Sequence, residues 1–207
     1  MIWPLYAILQ FCFTLLCYLT NPIVVLFCDE NGELPDIFRM WQTWDDSCNP
    51  RFYIVDEVPG FLKYDYDRHY REYQATTPDL EKVNRTRWFA EVVDPNFTFK
   101  EKVQRYICRV MWLYRNCAYG FAFWCFGRMV DGKNMKYTKD EEYVKFGYDT
   151  SRNILTRPWT YKNSSHFFND KLEWNIYVGW KIDEGLASIQ QCMIASRIFS
   201  IKIRKDK

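Results

Sequence analysis

The first 28 residues of the chain, MIWPLYAILQFCFTLLCYLTNPIVVLFC, contain no charged side chain. A helix that crosses a bilayer needs about 20 mostly apolar residues, and this run exceeds that length. It has no Lys or Arg at its start and no small-residue cleavage site after it, which argues against a removable secretory signal. The run therefore predicts a transmembrane anchor over residues 1–28. The alternative is a buried helix of a soluble core, or a helix that lies against a partner.

The dipeptide Asn21-Pro22 interrupts this run. Proline disfavours helical geometry in the residue before it, so a helix from about Ile2 is expected to end or kink near Thr20. Ile23 to Phe27 is then expected to be a separate apolar piece.

Composition limits the class of protein. A chain of 207 residues with a net charge of +2 has room for one ordinary domain and has no overall basic field, so nucleic acid is not expected as a partner. Eight cysteines without a C-x-x-C pair, and only two histidines, support neither a zinc ribbon nor a dense disulfide framework. We expect free, mostly buried thiols, as in a reducing cytosol. Of the basic residues after the anchor, only Arg39 lies close enough to count for orientation, so the body is predicted to be cytoplasmic.

The clearest helix begins at Thr98-Phe99-Lys100-Glu101, a capping box in which the threonine and the glutamate each satisfy a free backbone N–H group. The helix is expected to run to about Asn116. Residues at three- and four-residue spacing predict its buried face, namely Val103, Ile107, Val110, Leu113 and Tyr114. Lys102, Arg105 and Arg109 share another face, which is interpreted as solvated or, alternatively, as a contact for lipid phosphates or an acidic partner.

Several later segments have the patterns of strands. Residues 172–182 alternate between apolar and polar side chains, which is typical of an antiparallel strand with one wet side. Residues 194–203 predict another strand, and residues 143–148 and 154–161 two more, the last at a sheet edge because of Pro158. The apolar run from Tyr119 to Val130 is interpreted as a buried strand.

These elements predict an α+β fold: an N-terminal apolar, transmembrane helix followed by a small domain in which an amphipathic helix packs on an antiparallel β-sheet. The predicted divisions are an anchor at 1–28, an aromatic-rich connector and polar segment at 29–97, and a helix with antiparallel sheet at 98–207. Residues 29–207 are expected to form one globular unit.

One short stretch has the residue types of a metal site. Asp65, Asp67 and His69 alternate with other residues, so on a strand all three would project from one face, where they could bind a divalent metal. The flanking Arg68 and Arg71 offer a simpler explanation as ion-pair partners. A metal-dependent hydrolase that uses these three residues is therefore the alternative function, and metal analysis of the purified protein tests it.

Two other stretches contain residue types found in catalytic sites. Asp45-Asp46, between Trp44 and Ser47, resembles a paired-carboxylate site in which one pKa is raised, although adjacent residues point in different directions and a turn or cap is the favoured interpretation. His166 has no Ser and Asp partners that the sequence identifies. No nucleophile elbow, glycine-rich phosphate loop or dinucleotide fingerprint occurs, so binding is favoured over catalysis and no cofactor is expected.

The segment WLYRNCAYGF, at Trp112–Phe121, resembles the W-L-x-R-N-x-x-Y-G-F core of a family of small uncharacterised proteins of tailed bacteriophages and prophages. Members share an apolar N-terminus, an aromatic T-x-D segment and a G-W-K strand. The corresponding pieces here are Leu16–Phe27, Thr43–Asp45 and Gly179–Lys181. The resemblance implies a phage source and no mechanism.

Within this motif, Arg115 and Asn116 are expected to end the helix, and Gly120 to permit a tight turn into the next element. The alternative is that Arg115, Asn116 and Tyr119 form a polar binding site, since arginine presents a planar fork to carboxylate or phosphate.

Together these observations predict a phage-encoded, membrane-anchored accessory protein that acts by binding at the host inner membrane. Its expected partners are the lipid bilayer and a host membrane or cytoplasmic protein. Expected tasks are host takeover, superinfection exclusion or inhibition of a host defence. A virion structural component is a further alternative, which mass spectrometry of purified particles tests.

Overall fold

The structure is a computed structural model that describes residues 2–141, 143–168, 172–182, 186, 188–197 and 201–203. In this part of the chain the α-helices are α1 (Trp3–Val24), α2 (Arg51–Asp56), α3 (Tyr66–His69), α4 (Pro78–Glu81), α5 (Phe99–Arg115) and α6 (Tyr119–Trp124). The strands are β1 (Tyr70–Ala75), β2 (Arg87–Val92), β3 (Arg128–Val130), β4 (Met135–Asp140), β5 (Val144–Asp149), β6 (Trp159–Phe167), β7 (Leu172–Trp180), β8 (Gln190–Cys192), β9 (Ile194–Arg197) and β10 (Ile201–Ile203). The strand ladders are antiparallel, so the α+β prediction is confirmed.

The chain divides into two compact units. Residues Gln10–Phe121 form the first, here called the helical unit, and Met1–Leu9 with Ala122–Lys207 form the second, here called the sheet unit. Helix α1 contributes its first residues to the sheet unit and the rest to the helical unit. The predicted boundaries after residues 28 and 97 do not coincide with this division, and the folding of 29–207 as one globular unit stays a prediction.

The helical unit has an aromatic core. Tyr66 stacks on Tyr70 with ring centroids 4.8 Å apart, and Tyr53 lies 5.2 Å from Trp112. Leu113 of α5 is fully buried among these rings and the end of α1. The β1–β2 hairpin belongs to this unit, with Tyr70 opposite Val92 at its start.

Helix α5 confirms the predicted capping box. Thr98 Oγ1 accepts a hydrogen bond from the backbone N–H of Glu101 at 3.3 Å, and Glu101 Oε2 accepts one from the backbone N–H of Thr98 at 2.8 Å. The helix ends at Arg115, with Asn116 as its C-cap. The predicted buried face is correct at Leu113 and wrong at Val103, which is exposed.

The basic stripe of α5 is not a solvated face. Arg109 is only 5% exposed, and it donates hydrogen bonds to Asn49 Oδ1 at 2.8 Å and to the carbonyl oxygens of Asp29 and Glu30. Of the three predicted members, only Lys102 is exposed. The interpretation as a solvated face was wrong because segments that are distant in sequence pack on this side of α5.

The sheet unit is built on a sheet with the strand order β10-β7-β6-β5-β4, and β9 also pairs with β7. A separate β3–β8 ladder lies in the same unit. Val130, Trp180, Ile182 and Cys192 form its buried core. The predicted strands at 143–148 and 172–182 correspond to β5 and β7, and the predicted strand at 194–203 is divided between β9 and β10, with residues 198–200 outside the described part.

Two strand predictions need correction. Strand β6 lies between β5 and β7 and not at an edge, because it begins at Trp159, after Pro158, so that the proline removes no hydrogen bond from the ladder. The apolar run that begins at Tyr119 forms helix α6 before the short strand β3. A short apolar run does not by itself distinguish a buried strand from a buried helix.

Gly120 has a packing role at the start of α6. A Cβ atom at this position would overlap the backbone oxygens of Arg39 and Gln42, and the N–H of Phe121 donates to the carbonyl oxygen of Met40 at 3.0 Å. Glycine is therefore required for the close approach of two backbones, and not for the predicted turn into a strand.

Helix α1 does not end near Thr20. It continues through Pro22 to Val24 and is followed by a 3₁₀ turn over Val25–Phe27. Proline removes the N–H that would bond the carbonyl oxygen of Tyr18, and the hydroxyl of Tyr114 donates to that oxygen at 3.0 Å instead. A tertiary contact thus replaces the missing helical hydrogen bond.

Candidate functional site

The side of α1 that faces away from the folded chain is apolar along its whole length and is here called the outer face. Twelve large apolar or aromatic residues of the first 27 are exposed. They are Ile2, Leu5, Ile8, Leu9, Phe11, Leu15, Leu16, Tyr18, Leu19, Ile23, Leu26 and Phe27. Leu19 is 78% exposed and Leu26 is 68% exposed, so these are not side chains that the fold covers in part.

The opposite side of α1, the inner face, carries the polar residues of the helix. Cys17 and Asn21 are buried in the helical unit, and Asn21 Nδ2 contacts Cys117 Sγ at 3.9 Å. Thr20 Oγ1 accepts a hydrogen bond from Trp41 Nε1 at 2.8 Å. The polar side chains of α1 therefore meet protein, and not solvent.

In the sheet unit, the first turns of α1 are held by aromatic contacts. Trp3 Nε1 donates to the carbonyl oxygen of Gly179 at 3.1 Å. The ring of Tyr6 stacks on Phe126 at 4.5 Å, and Arg128 donates to its hydroxyl at 3.0 Å. Both the beginning and the later turns of α1 are thus packed on folded chain.

This distribution is the reverse of a helix on the surface of a soluble protein, which buries its apolar side and exposes its polar one. The segment Trp3–Phe27, whose most apolar stretch of 18 residues has a mean hydropathy of 1.8, is long and apolar enough to cross a membrane. Contiguous exposed apolar surface of this kind marks an interaction site for lipid or protein. The spacing of Gln10, Thr14, Cys17 and Asn21 is the sequence signal that could have identified the inner face.

Arg115, Asn116 and Tyr119, predicted as a binding or junction motif, lie at the end of α5. Arg115 forms an ion pair with Glu57 at 2.8 Å and lies over the ring of Trp112 at 5.5 Å. Asn116 Nδ2 donates to the carbonyl oxygen of Trp112 at 3.2 Å, and its carbonyl oxygen accepts from the N–H of Tyr119. These contacts stabilise the junction, and a ligand at the three residues stays a prediction.

Asp65, Asp67 and His69 do not lie on a strand, because residues 66–69 form helix α3 and β1 begins afterwards. Asp65 caps α3, and Asp67 forms an ion pair with Arg51 at 3.1 Å on the surface. His69 is fully buried, with Nε2 3.3 Å from Glu101 Oε1. The three side chains have separate partners, and no cluster of three His, Cys, Asp or Glu within the described ranges is arranged to hold a metal ion. The metal site stays a prediction for metal analysis.

Asp45 and Asp46 have different surroundings. The carbonyl oxygen of Asp45 accepts a hydrogen bond from the N–H of Trp88 at 2.9 Å, and Asp46 forms a β-bridge with the same residue. Burial, followed by the neighbouring charge of Asp45, raises the pKa of Asp46 to about 8. The raised pKa expected of a paired-carboxylate site is thus present, but its main cause is desolvation.

Four cysteines lie in two neighbouring pairs, Cys17 with Cys117 and Cys28 with Cys48. All eight cysteines are free thiols in the structure. The sequence predicted free thiols and no pairs, because the partners are separated by many residues and carry no spacing signal. His166, on β6, lies 4.9 Å from the ring of Tyr143 in an edge-to-face contact.

A family model described as "Family of unknown function (DUF7338)" matches residues 1–206. No curated protein and no solved structure matches the chain significantly.

Proposed function

The chain belongs to the DUF7338 family, whose function is unknown, and we propose that it is a membrane-associated accessory protein that acts by binding. The observation that carries this proposal is the outer face of α1, which is exposed, apolar and free of charge over residues 2–27. Burial of such side chains contributes about 1.5–3 kcal/mol for each Leu, Ile or Phe. Exposure of so many large apolar side chains of one helix to water would be unfavourable.

Lipid is the occupant that these features favour. Interfaces between proteins usually combine apolar residues with a polar rim that fixes the orientation of the partner. The outer face has no charged residue along α1, and the polar groups of the helix are on its inner face. Binding to a bilayer requires no polar rim on the protein, because the hydrocarbon core accommodates an entirely apolar surface without specific contacts.

The contacts of the inner face favour a helix that lies along the membrane surface over one that crosses it. If α1 crossed the bilayer, then the chain packed on its inner face, including the guanidinium of Arg128 beside Tyr6, would be drawn to membrane depth. Charged groups are expensive there. A helix that inserts only its outer face, as interfacial helices do, leaves those groups in water. The single-pass span predicted from the sequence is the competing arrangement.

The biological setting is part of the same proposal. The motif at Trp112–Phe121 supports a phage source, and therefore the host inner membrane as the site of action. The small number of basic residues after α1 and the free thiols support a body on the cytoplasmic side. Host takeover, superinfection exclusion and inhibition of a host defence are tasks that a membrane-bound binding protein performs without chemistry.

The test is membrane flotation of the full chain with a C-terminal tag. Ile8→Glu/Leu19→Glu places two charges on the outer face, where the side chains are 60% and 78% exposed. The matched control, Ile154→Glu/Leu155→Glu, places the same charges at positions that are 66% and 64% exposed outside α1. We expect the first variant to lose membrane binding by roughly a hundredfold or more, from the lost apolar burial alone, and the control to float like wild type.

Wild-type protein that stays in the soluble fraction and forms dimers that the outer-face variant lacks would contradict the proposal, since the outer face would then be an interface between copies. Protease digestion of sealed vesicles separates the two membrane arrangements. A helix on the surface leaves the N-terminus and the C-terminal tag on the same side, whereas a crossing helix leaves them on opposite sides.

A further inference from the structure

The helical unit contains a cleft of about 440 Å³ that the sequence did not predict. Its lining residues are Asp46, Arg51, Phe52, Val55, Asp56, Glu72 and Trp88. They come from the segment before α2, from α2 itself, and from strands β1 and β2. The volume lies in the range of sites for small ligands.

The backbone of Asp46 is held firmly. Its carbonyl oxygen accepts hydrogen bonds from Thr43 Oγ1 at 2.9 Å, from Gln42 Nε2 at 3.1 Å and from Arg87 at 3.0 Å. The N–H of the next residue donates to the carbonyl oxygen of Trp88 at 3.2 Å. Asp46 is therefore fixed in position at the wall of the cleft.

The carboxylate of Asp46 has no such partners. The residue is only 9% exposed, and within the described part of the chain no hydrogen bond or ion pair reaches its carboxylate oxygens. Arg87, whose charge acts on Asp46, is 2.6 Å from Glu33 Oε2 and donates a hydrogen bond to Asp46 only at the backbone carbonyl oxygen. A buried acidic group without a partner is costly, and its presence in a folded protein calls for an explanation, such as an ion or ligand that binds there.

The other residues that line the cleft suit a cation that carries an alkyl chain. Glu72 Oε1 accepts from Tyr66 at 2.9 Å and from the backbone N–H of Arg51 at 2.9 Å, so its position is fixed as well. The guanidinium of Arg51 is already paired with Asp67. Trp88 and Phe52 are 46% and 47% exposed at the cleft, and aromatic rings attract cations and cover alkyl chains.

We propose that this cleft binds a small organic cation, an ammonium group on a short alkyl chain. Asp46 and Glu72 take the ammonium group, and the rings of Trp88 and Phe52 cover the chain. The chemistry is shared by free amines and by a lysine side chain of a partner protein, and the test distinguishes these sources. The proposal does not depend on membrane association.

Protonation of Asp46 is coupled to this binding. Burial is the first cause that raises the pKa of Asp46 to about 8, and the nearby acidic groups Asp45, Glu72 and Glu33 add to it, while Arg87 opposes them. The free cleft therefore holds a protonated Asp46 at pH 7. A bound ammonium favours the carboxylate, so binding releases close to one proton at that pH.

The experiment is isothermal titration calorimetry of the full chain in a non-ionic detergent. Lipids and detergents with amine or choline headgroups are avoided, because these cations would compete with the probes for the cleft. The probes are n-pentylamine and Nα-acetyl-lysine amide, which each carry one ammonium group on an alkyl chain. 1-Pentanol is the uncharged control. We expect at least one amine to bind and the alcohol not to bind. Tighter binding of n-pentylamine indicates a free amine, and tighter binding of the lysine derivative indicates a partner side chain.

Two variants locate the site. Asp46→Asn keeps the shape of the side chain and is expected to weaken binding at least about tenfold, since it removes the charged partner. Asp36→Asn makes the same charge change at an exposed position outside the cleft and should leave binding unchanged. Trp88→Leu is expected to weaken binding a few-fold through the lost ring.

The pH dependence completes the test. The affinity for the amine should fall about tenfold for each pH unit below 8 and level off above pH 8. The measured binding enthalpy should vary with the ionisation enthalpy of the buffer, because the buffer takes up the released proton. Binding by neither amine overturns the proposal. Equal binding to wild type and Asp46→Asn, at a temperature at which both are folded, also overturns it.

Discussion

Asp46 is a largely buried carboxyl group that lines a cleft, and no described residue donates a hydrogen bond to its carboxylate oxygens. Each pKa unit corresponds to about 1.4 kcal/mol, so a pKa raised from 3.8 to about 8 makes ionisation of this group less favourable than in water by roughly 6 kcal/mol. His69 is also buried, but both nitrogens of its ring have a partner. Nδ1 lies 2.7 Å from the carbonyl oxygen of Asp94, and Nε2 lies 3.3 Å from Glu101 Oε1. Burial alone therefore does not identify a candidate site, and at Asp46 the missing partner coincides with a cleft.

The raised pKa of Asp46 predicts a pH-dependent stability. The folded pKa lies above the unfolded one, so the stability contribution is present below about pH 4 and is lost as the pH rises through about 8. Asp46→Asn cannot ionise. We expect it to melt at a higher temperature than wild type at pH 9 and at a similar temperature near pH 4, as measured by thermal denaturation in detergent. Asp36→Asn is the control, and a difference that does not change with pH would contradict the assignment.

Among the elements, α1 shows how tertiary contacts override a local break. The proline inside its last turn leaves the carbonyl oxygen of Tyr18 without a helical donor, and Tyr114 of α5 supplies one. The carbonyl oxygen of Pro22 in turn accepts a hydrogen bond from Tyr106 at 2.9 Å. Two tyrosines of α5 thus stabilise a helical turn that the sequence predicts to break.

A double-mutant cycle tests this contact. Tyr114→Phe is expected to lower the free energy of unfolding by about 1 kcal/mol, because the carbonyl oxygen of Tyr18 loses its donor. In a Pro22→Ala background the new N–H bonds the same oxygen, so the same change should cost much less. Both are measured by thermal denaturation. An equal cost in both backgrounds would mean that the Tyr114 hydroxyl does not replace the N–H that Pro22 lacks, and would contradict this account of the turn.

For the molecule as a whole, the outer face determines the environment in which the protein is stable. Cys12 is exposed on α1, and Cys125 is exposed in the sheet unit. If the outer face is embedded in lipid, then a charged, membrane-impermeant maleimide in unsealed membranes should label Cys125 and react with Cys12 far more slowly. Denatured protein should react at both. Mass spectrometry of peptides measures the labelling, with Cys12→Ser and Cys125→Ser to assign it. Equal labelling of both thiols in membranes would place the outer face in water.

The sequence by itself determined those features that depend on neighbours along the chain. The charge-free run of 28 residues, the capping box at Thr98 and the alternation of β7 follow from local spacing, and the structure contains the corresponding elements. The length and apolarity of α1 were likewise evident before any packing was known. These properties arise within one helical turn or between successive strand residues, so sequence spacing is enough to predict them.

Only the tertiary structure decided which side of each element is covered and by what. The continuation of α1 past Pro22 depends on Tyr114, and the burial of Arg109 depends on Asn49, both of which are distant in sequence. The cleft at Asp46 likewise combines separate segments of the helical unit. Desolvation and hydrogen bonding are set by neighbours in space. Asp45-Asp46 was a candidate from the sequence, but only the fold shows that burial is the main cause of the raised pKa of Asp46 and that the apolar side of α1 faces outward.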